Sequence, residues 1–217
     1  MSWEGTEMQT SAIVFEQPGA LALKSLSLRV PSSADVVVET MFSGISTGTE
    51  KMLFQGTMPA FPGMRYPLVP GYESVARVVE AGSASGRKVG DQVFVPGANC
   101  YEDAAGLFGA SASRLVVAGA RTTRLEFNNP EEGALLALAH HAVRRATRPV
   151  SLVIGHGVLG RLIARIIIAI SNPTPTVWET AQARRQGAQG YAVIDPTSDE
   201  GSAPATPTNA AVIDASG

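Results

Sequence analysis

Over roughly the first 125 positions the apolar residues fall in short runs that alternate with polar ones. The runs are "AIVF" from Ala12, "DVVVET" from Asp35, "SVARVVEAG" from Ser74, "DQVFVP" from Asp91 and "SRLVVA" from Ser113. Period-two patterning rich in Val predicts β-strands. Gly and Pro punctuate the runs closely, and strands of that length at that spacing predict a small β-barrel or sandwich, with "KVGDQVFV" a turn feeding one strand. From Asn129 the pattern changes. "PEEGALLALAHHAVRRA" predicts a helix with Pro130 and two acids in its first turn and arginines near its end, as the helix dipole favours. "SLVI", "PTVWE", "YAVID" and "AAVID" are short apolar runs that predict strands of a parallel sheet. The fold class expected is therefore α/β with a β-barrel: a β-rich catalytic domain over 1–128, then a helix and a doubly wound domain over 129–217. "TSDEGSAPATPTN" reads as a loop.

Composition narrows the function. The chain has 217 residues, of which 45% are hydrophobic and 17% charged, enough to bury one large or two small cores. Its 17 basic residues against 19 acidic ones offer no field for a phosphate backbone, so nucleic acid is excluded as a partner. The opening "MSWEGTEMQTSAIVF" is polar and acidic rather than a signal sequence, and a cytoplasmic protein is expected. The single Cys100 cannot form an internal disulfide. Val158 to Ile170, with Arg161 and Arg165 four apart, reads as a buried helix that falls short of a membrane span.

The strongest chemical signal is "SLVIGHGVLGRLIARIIIAI". Gly155, Gly157 and Gly160 complete the spacing Gly-x-Gly-x-x-Gly between an apolar strand and a long apolar helix. Gly155 permits the tight turn, Gly157 lets a pyrophosphate approach the backbone, and the helix start at Val158, Leu159 and Gly160 meets the phosphates. His156 lies between the glycines, either donating to the pyrophosphate, reaching toward substrate or facing solvent. Glu179 ends the next strand, 19 residues past Gly160, where an acid accepts the adenosine ribose hydroxyls. That favours NAD as cofactor, since a carboxylate repels a 2′-phosphate. Arg184 and Arg185 are the counterweight, being suited to bind that phosphate.

A β-rich domain followed by this motif resembles the medium-chain dehydrogenase/reductase superfamily, whose first domain is a GroES-like barrel. In its zinc-dependent members the segment matching "VPGYESVARVVEAG" reads Gly-His-Glu, and the segment matching "FSGISTGTEKM" carries a cysteine ligand. Here Tyr72 and Ser46 stand at those positions, and one cysteine cannot build the family's four-cysteine structural site. No metal is expected at either place; Glu73 with His141 is the remaining donor pair. The strings "SGISTGTEK", "FPGMRYPLVPGYE", "VFVPGANC", "GLFG", "VIGHGVLGRL" and "PTVWE" together resemble the branch that oxidises a hydroxyethyl group on a tetrapyrrole in bacteriochlorophyll biosynthesis. That resemblance implies a large, flat, apolar substrate and NAD as hydride acceptor. Phe54, Met58, Phe61, Met64 and Tyr66 then line a broad face, with Arg65 or Lys51 meeting a propionate; otherwise the same residues are a loop packed over its own core.

Without zinc, hydrogen-bonding side chains must handle the hydroxyl proton. The motif match places Ser46, Thr49, Glu50, Tyr72 and Glu73 there, with Tyr72 the first candidate. The plainer readings are a packed aromatic for Tyr72 and a carboxylate bridging loop amides for Glu73. His140 and His141 lie mid-helix, either facing the cleft or satisfied in the core. Only four parallel strands are visible where a complete doubly wound domain has six, so a truncated domain with an unpaired sheet edge is expected, and a homo-oligomer stays open. Two other functions share these features: a zinc-free quinone or enoyl reductase, and a non-catalytic dinucleotide-binding protein.

Overall fold

The computed structural model describes residues 7–106, 108–126, 129–145, 148–170, 173–198 and 210–216. Contacts divide the chain into two units, Met1–Ala137 and Leu138–Gly217. In the first, β1 (Met8–Gln17) pairs antiparallel with β2 (Ala20–Leu28). The strands β3 (Asp35–Ser43), β4 (Ser74–Ala81), β5 (Gln92–Val95), β6 (Arg114–Ala118) and β7 (Thr123–Arg124) form a second antiparallel sheet in the order β6-β3-β4-β5-β7. Bridges Ala12↔Ala112, Phe15↔Leu68 and Leu28↔Tyr101 tie the hairpin to the loops around that sheet.

Each of the five alternating runs lies within or across a strand. The sequence reading named none at β2, where "ALALKSLSL" buries only Leu26 and Leu28 and leaves Leu21 and Leu23 exposed. Conversely, Val36, Val37 and Val38 are all fully buried, so β3 is covered on both faces and its central residues do not alternate. A short helix α1 (Thr49–Gln55) follows β3.

The second unit contains α2 (Leu136–Arg145), begun in the first, then β8 (Val150–Ile154), α3 (Val158–Ala169), β9 (Thr176–Trp178), β10 (Ala192–Ile194) and β11 (Ala211–Asp214). Its strands are parallel in the order β10-β9-β8-β11. By sequence position that is 3-2-1-4, the first four places of a doubly wound sheet, with the order reversing between β8 and β11. Ile163, Ala164 and Ile167 face the sheet from α3, against Val150, Val153, Val177 and Ile213. Each buried isoleucine contributes roughly 2 kcal/mol.

Two details differ from the pattern. The helix expected from Pro130 begins as a 3-10 turn, Pro130–Leu135, and becomes α-helical only at Leu136. Gly133 presses on Leu125 and Val75 there, and Leu136 and Ala137 pack on the same cluster, so these residues sit with the first unit although the sequence pattern divides the chain at 128/129. The Pro- and Ser-rich stretch 199–209 lies outside the described residues.

Arg29 Nη1 and Nη2 donate to the two carboxylate oxygens of Asp35 at 2.8 and 2.9 Å, and the Ser32 amide and hydroxyl each donate to Oδ2 at 2.7 Å. This latch clamps the turn that leads into β3 and holds the Asp35 carboxyl well below the usual carboxylate range, the Arg29 hydrogen bonds contributing most. An acid with a depressed folded pKa stabilises the fold above its unfolded value, about 3.9, and loses that contribution as pH falls through the folded one. Asp35→Asn is therefore expected to cost about 2 kcal/mol at pH 7 in urea unfolding, with the difference from wild type shrinking below about pH 4.

Candidate functional site

In the second unit β8 ends at Ile154 and the chain turns at Gly155, whose φ of 93° lies in the left-handed region. A Cβ there would also come within 2.8 Å of the Ala215 carbonyl oxygen beyond β11. Gly157 caps α3, and a Cβ on it would meet nothing within 4 Å, which leaves open the space a pyrophosphate would occupy. A Cβ on Gly160 would overlap the Gly155 carbonyl, so the third glycine is what lets α3 dock on the strand end. The amides of Val158, Leu159 and Gly160 have no earlier helical carbonyl to bond and point from the helix N-terminus.

Glu179 is buried just beyond β9. Its Oε2 accepts the His156 amide at 3.0 Å and its Oε1 the Ala181 amide at 2.8 Å, and these bonds pull its pKa down and keep it a carboxylate. Each oxygen retains a second lone pair for a ribose hydroxyl. The open side of Gly157, the free amides of the helix start and a held carboxylate are the donors and acceptors a dinucleotide calls for.

His156 is neither exposed nor aimed at phosphate. Its ring is fully buried, with Nδ1 2.6 Å from the Arg184 carbonyl and Nε2 2.8 Å from the Tyr191 hydroxyl. A carbonyl only accepts, so Nδ1 carries a proton, and Nε2 shares a hydrogen bond with the Tyr191 hydroxyl. Arg161 reinforces the same tie, donating from Nε to the His156 carbonyl at 3.0 Å and from Nη2 to the Arg184 carbonyl at 2.9 Å. The sequence reading missed Arg161 and Tyr191 as loop anchors because they lie 5 and 35 residues from His156. The Arg184 side chain is exposed, while Arg185 donates to Asp195 at 2.9 Å. His140 and His141 are both exposed on α2, so neither is a core histidine.

In the first unit the residues after β3 enclose two acids. Glu50 on α1 is 8% exposed and Glu73, before β4, is 5% exposed. Glu73 lies directly over Gly44, where any Cβ would overlap its carboxylate, and its backbone carbonyl accepts the Gly44 amide at 2.8 Å. Oε1 of each acid is buried without a hydrogen-bond partner among the described residues. Glu73 is thus not the amide-bridging carboxylate expected on the plainer reading. Burial pushes both carboxyls up, and for Glu50 the charge of Glu73 adds to it.

Glu50 and Ser46 line a cavity of about 510 Å³ with Thr47, Lys51 and apolar residues including Ile13, Phe15 and Leu21 from the β1/β2 hairpin. Thr49 and Tyr72 are not among its lining residues. Tyr72 is half-buried, its ring 5.2 Å from that of Phe108. Of the expected apolar face, Phe54 lines this cavity, while Met58, Met64 and Tyr66 pack on the cluster of Phe15, Leu53 and Leu68. Tyr66 spends its hydroxyl on the Leu53 carbonyl, and Arg65 lines a different cavity with Arg121 and Phe108.

Residues 32–127 match the alcohol dehydrogenase GroES-like domain family. Two curated relatives share 49% identity with the chain, over 89% and 88% of its length. Both are named 2-desacetyl-2-hydroxyethyl bacteriochlorophyllide A dehydrogenase, one from Cereibacter sphaeroides and one from Rhodobacter capsulatus. The chain is thus similar to alcohol dehydrogenases that carry a GroES-like domain. It spans 64% and 63% of the length of those two relatives. Among solved structures, a short chain alcohol dehydrogenase from E. coli CFT073 complexed with NADH superimposes with a TM-score of 0.73 at 20% identity, covering 96% of this chain and 70% of that one. CAD from Helicobacter pylori, complexed with NADP(H), gives 0.70 at 17% identity, covering 88% and 66%. At those identities the likeness shows the fold alone. At the two positions that the sequence resemblance sets against zinc ligands stand a hydroxyl, Ser46, and a phenol, Tyr72, and the buried acids Glu50 and Glu73 lie close to them in sequence. That set does not fit a four-coordinate zinc site built from thiolate and imidazole.

Gly160→Ala is expected to push α3 off the end of β8 and cost about 1–3 kcal/mol in the second unit, read as a lowered midpoint for dinucleotide-dependent thermal stabilisation.

Proposed function

We propose that the protein is an NAD-dependent alcohol dehydrogenase that oxidises the C3 1-hydroxyethyl group of a bacteriochlorophyllide to acetyl. The observation that carries this reading is the 49% identity, over 89% and 88% of this chain, to relatives named for that activity. The substrate is a large, flat, mostly apolar tetrapyrrole, and the cavity beside Ser46 and Glu50 has an apolar wall to match it.

A nicotinamide dinucleotide supplies the hydride acceptor when bound. This chain's part is to hold it: backbone amides of Val158, Leu159 and Gly160 for the pyrophosphate, and Glu179 for the adenosine ribose. Because Glu179 is held as a carboxylate, a 2′-phosphate would meet a fixed negative charge, which supports NAD. A second reading, a zinc-free reductase using NADPH, draws on the exposed Arg184 beside that acid. In the barrel, hydrogen-bonding side chains take the place of a Lewis acid, and Tyr72, Glu73, Ser46, Thr49 and Glu50 are the proposed group. Of the described residues none forms a helix long and apolar enough to cross a membrane, which suits a cytoplasmic enzyme meeting its pigment in water or at a membrane surface.

The test is reduction of NAD and of NADP by the full-length protein with a 3-(1-hydroxyethyl) bacteriochlorophyllide, after chelator treatment. Turnover with NAD at least tenfold faster than with NADP is expected, and Tyr72→Phe should lower kcat by about 10²-fold if its phenol handles the proton. Bound NAD with no turnover would overturn the reading.

A further inference from the structure

The chain between β9 and β10 is built unlike an ordinary parallel crossover. Parallel neighbours need a connection of a dozen or more residues, usually an α-helix whose apolar stripe packs on the sheet. Among the described residues, which include this whole stretch, the regular structure from Glu179 to Tyr191 is one 3-10 turn, Gln182–Arg184. Between those two ends the described residues are exposed, except for a half-buried Arg185. Hydrophobic burial therefore does not hold the segment, and polar bonds do. His156 Nδ1 donates to the Arg184 carbonyl at 2.6 Å, Arg161 Nη2 donates to the same oxygen at 2.9 Å, and Arg185 donates to Asp195 at 2.9 Å. A Cβ on Gly187 would press on the Arg161 guanidinium, so bare backbone sits against it there. Tyr191 closes the far end. Its ring is buried in the cluster of Ile163 and Ile167, edge-on to the His156 ring at 5.5 Å, and its hydroxyl lies 2.8 Å from Nε2.

We propose that Tyr191 is a positioning residue for the dinucleotide. Acting through the His156 ring, it fixes the glycine loop and the crossover in the one arrangement that receives pyrophosphate and adenosine ribose together. The inference rests on the dinucleotide reading of the loop and deepens it. Every polar group of His156 is engaged within the protein: the amide with Glu179, the carbonyl with Arg161, and the two ring nitrogens with Arg184 and Tyr191. The residue serves the ligand by holding its neighbours, not by touching it. Without the Tyr191 hydroxyl, Nε2 loses its partner inside the protein, and the crossover keeps only the ties from Nδ1, Arg161 and Arg185. Loop and acid then separate for part of the time, and a ligand that needs both binds in proportion to the fraction still assembled.

Tyr191→Phe tests this, because the ring stays in its cluster while the hydroxyl goes. The probe is ADP-ribose, which carries the adenosine ribose and the pyrophosphate without the nicotinamide, titrated by calorimetry into the full-length protein. Its Kd is expected to rise about tenfold, the factor one lost hydrogen bond supplies. The KM for NAD should rise alike with kcat unchanged. Hydrogen exchange at amides 186–190 should quicken in Tyr191→Phe, and ADP-ribose should slow it in wild type. In a His156→Leu background, where the ring is gone, adding Tyr191→Phe should change the Kd by less than about twofold, because Tyr191 acts through that ring. A merely stabilising tyrosine would lower Tm and leave the Kd alone at temperatures well below it. That result, an equal loss from Tyr191→Phe in both backgrounds, or a lowered kcat at constant KM overturns the inference. Wild type that binds no ADP-ribose overturns it together with the dinucleotide reading. A tenfold loss in Tyr191→Phe without pigment turnover by wild type upholds it and sinks the dehydrogenase alone.

Discussion

A side chain on Gly160 would overlap the carbonyl oxygen of Gly155, so α3 can dock on the end of β8 only while that position is bare. The second unit is organised by that approach. It puts Ile163, Ala164 and Ile167 on the sheet, and it brings the amides at the helix start to the edge where the strand order reverses between β8 and β11. A shift of about 1 Å, the least that a Cβ at Gly160 would force, separates a packed helix and a phosphate cradle from neither.

The same principle operates in the barrel through a different pair. Glu73 lies where a Cβ on Gly44 would be, which lets the chain from Gly44 to Glu50 fold around a carboxylate instead of away from it. The acids gathered there are poorly satisfied, and the strands that hold them are not: Val36, Val37 and Val38 are fully buried, and the Arg29–Asp35 latch fixes the entry to the same strand. A rigid sheet tolerates a strained set of side chains at its end because its own core supplies the stability.

What the sequence made legible follows the range of each interaction. The five Val-rich runs, the glycine loop and Glu179 are written in local order, within 25 residues, and all lie where periodicity and spacing put them. Strand β2 was hidden because its exposed face carries Leu21 and Leu23 rather than polar residues. His156 was misread because a histidine between two glycines looks free, whereas its ring is claimed by Tyr191, 35 residues on. The cavity over Glu50 draws on Ile13, Phe15 and Leu21, and no local pattern joins a first hairpin to a helix after the third strand. Met58, Met64 and Tyr66 were expected on a substrate face yet pack on the core, since an apolar residue on a loop reads the same whether it faces ligand or protein.

Glu179 has a second employer. Its carboxylate oxygens accept the amides of His156 and Ala181, so the group that would read the ribose also ties the glycine loop to the chain after β9. Changing the cofactor this protein prefers is therefore not a local edit. Removing the acid to welcome a phosphate frees the buried His156 amide and the Ala181 amide at once, so a lineage or a designer moving toward the phosphorylated dinucleotide must first find the buried one another acceptor.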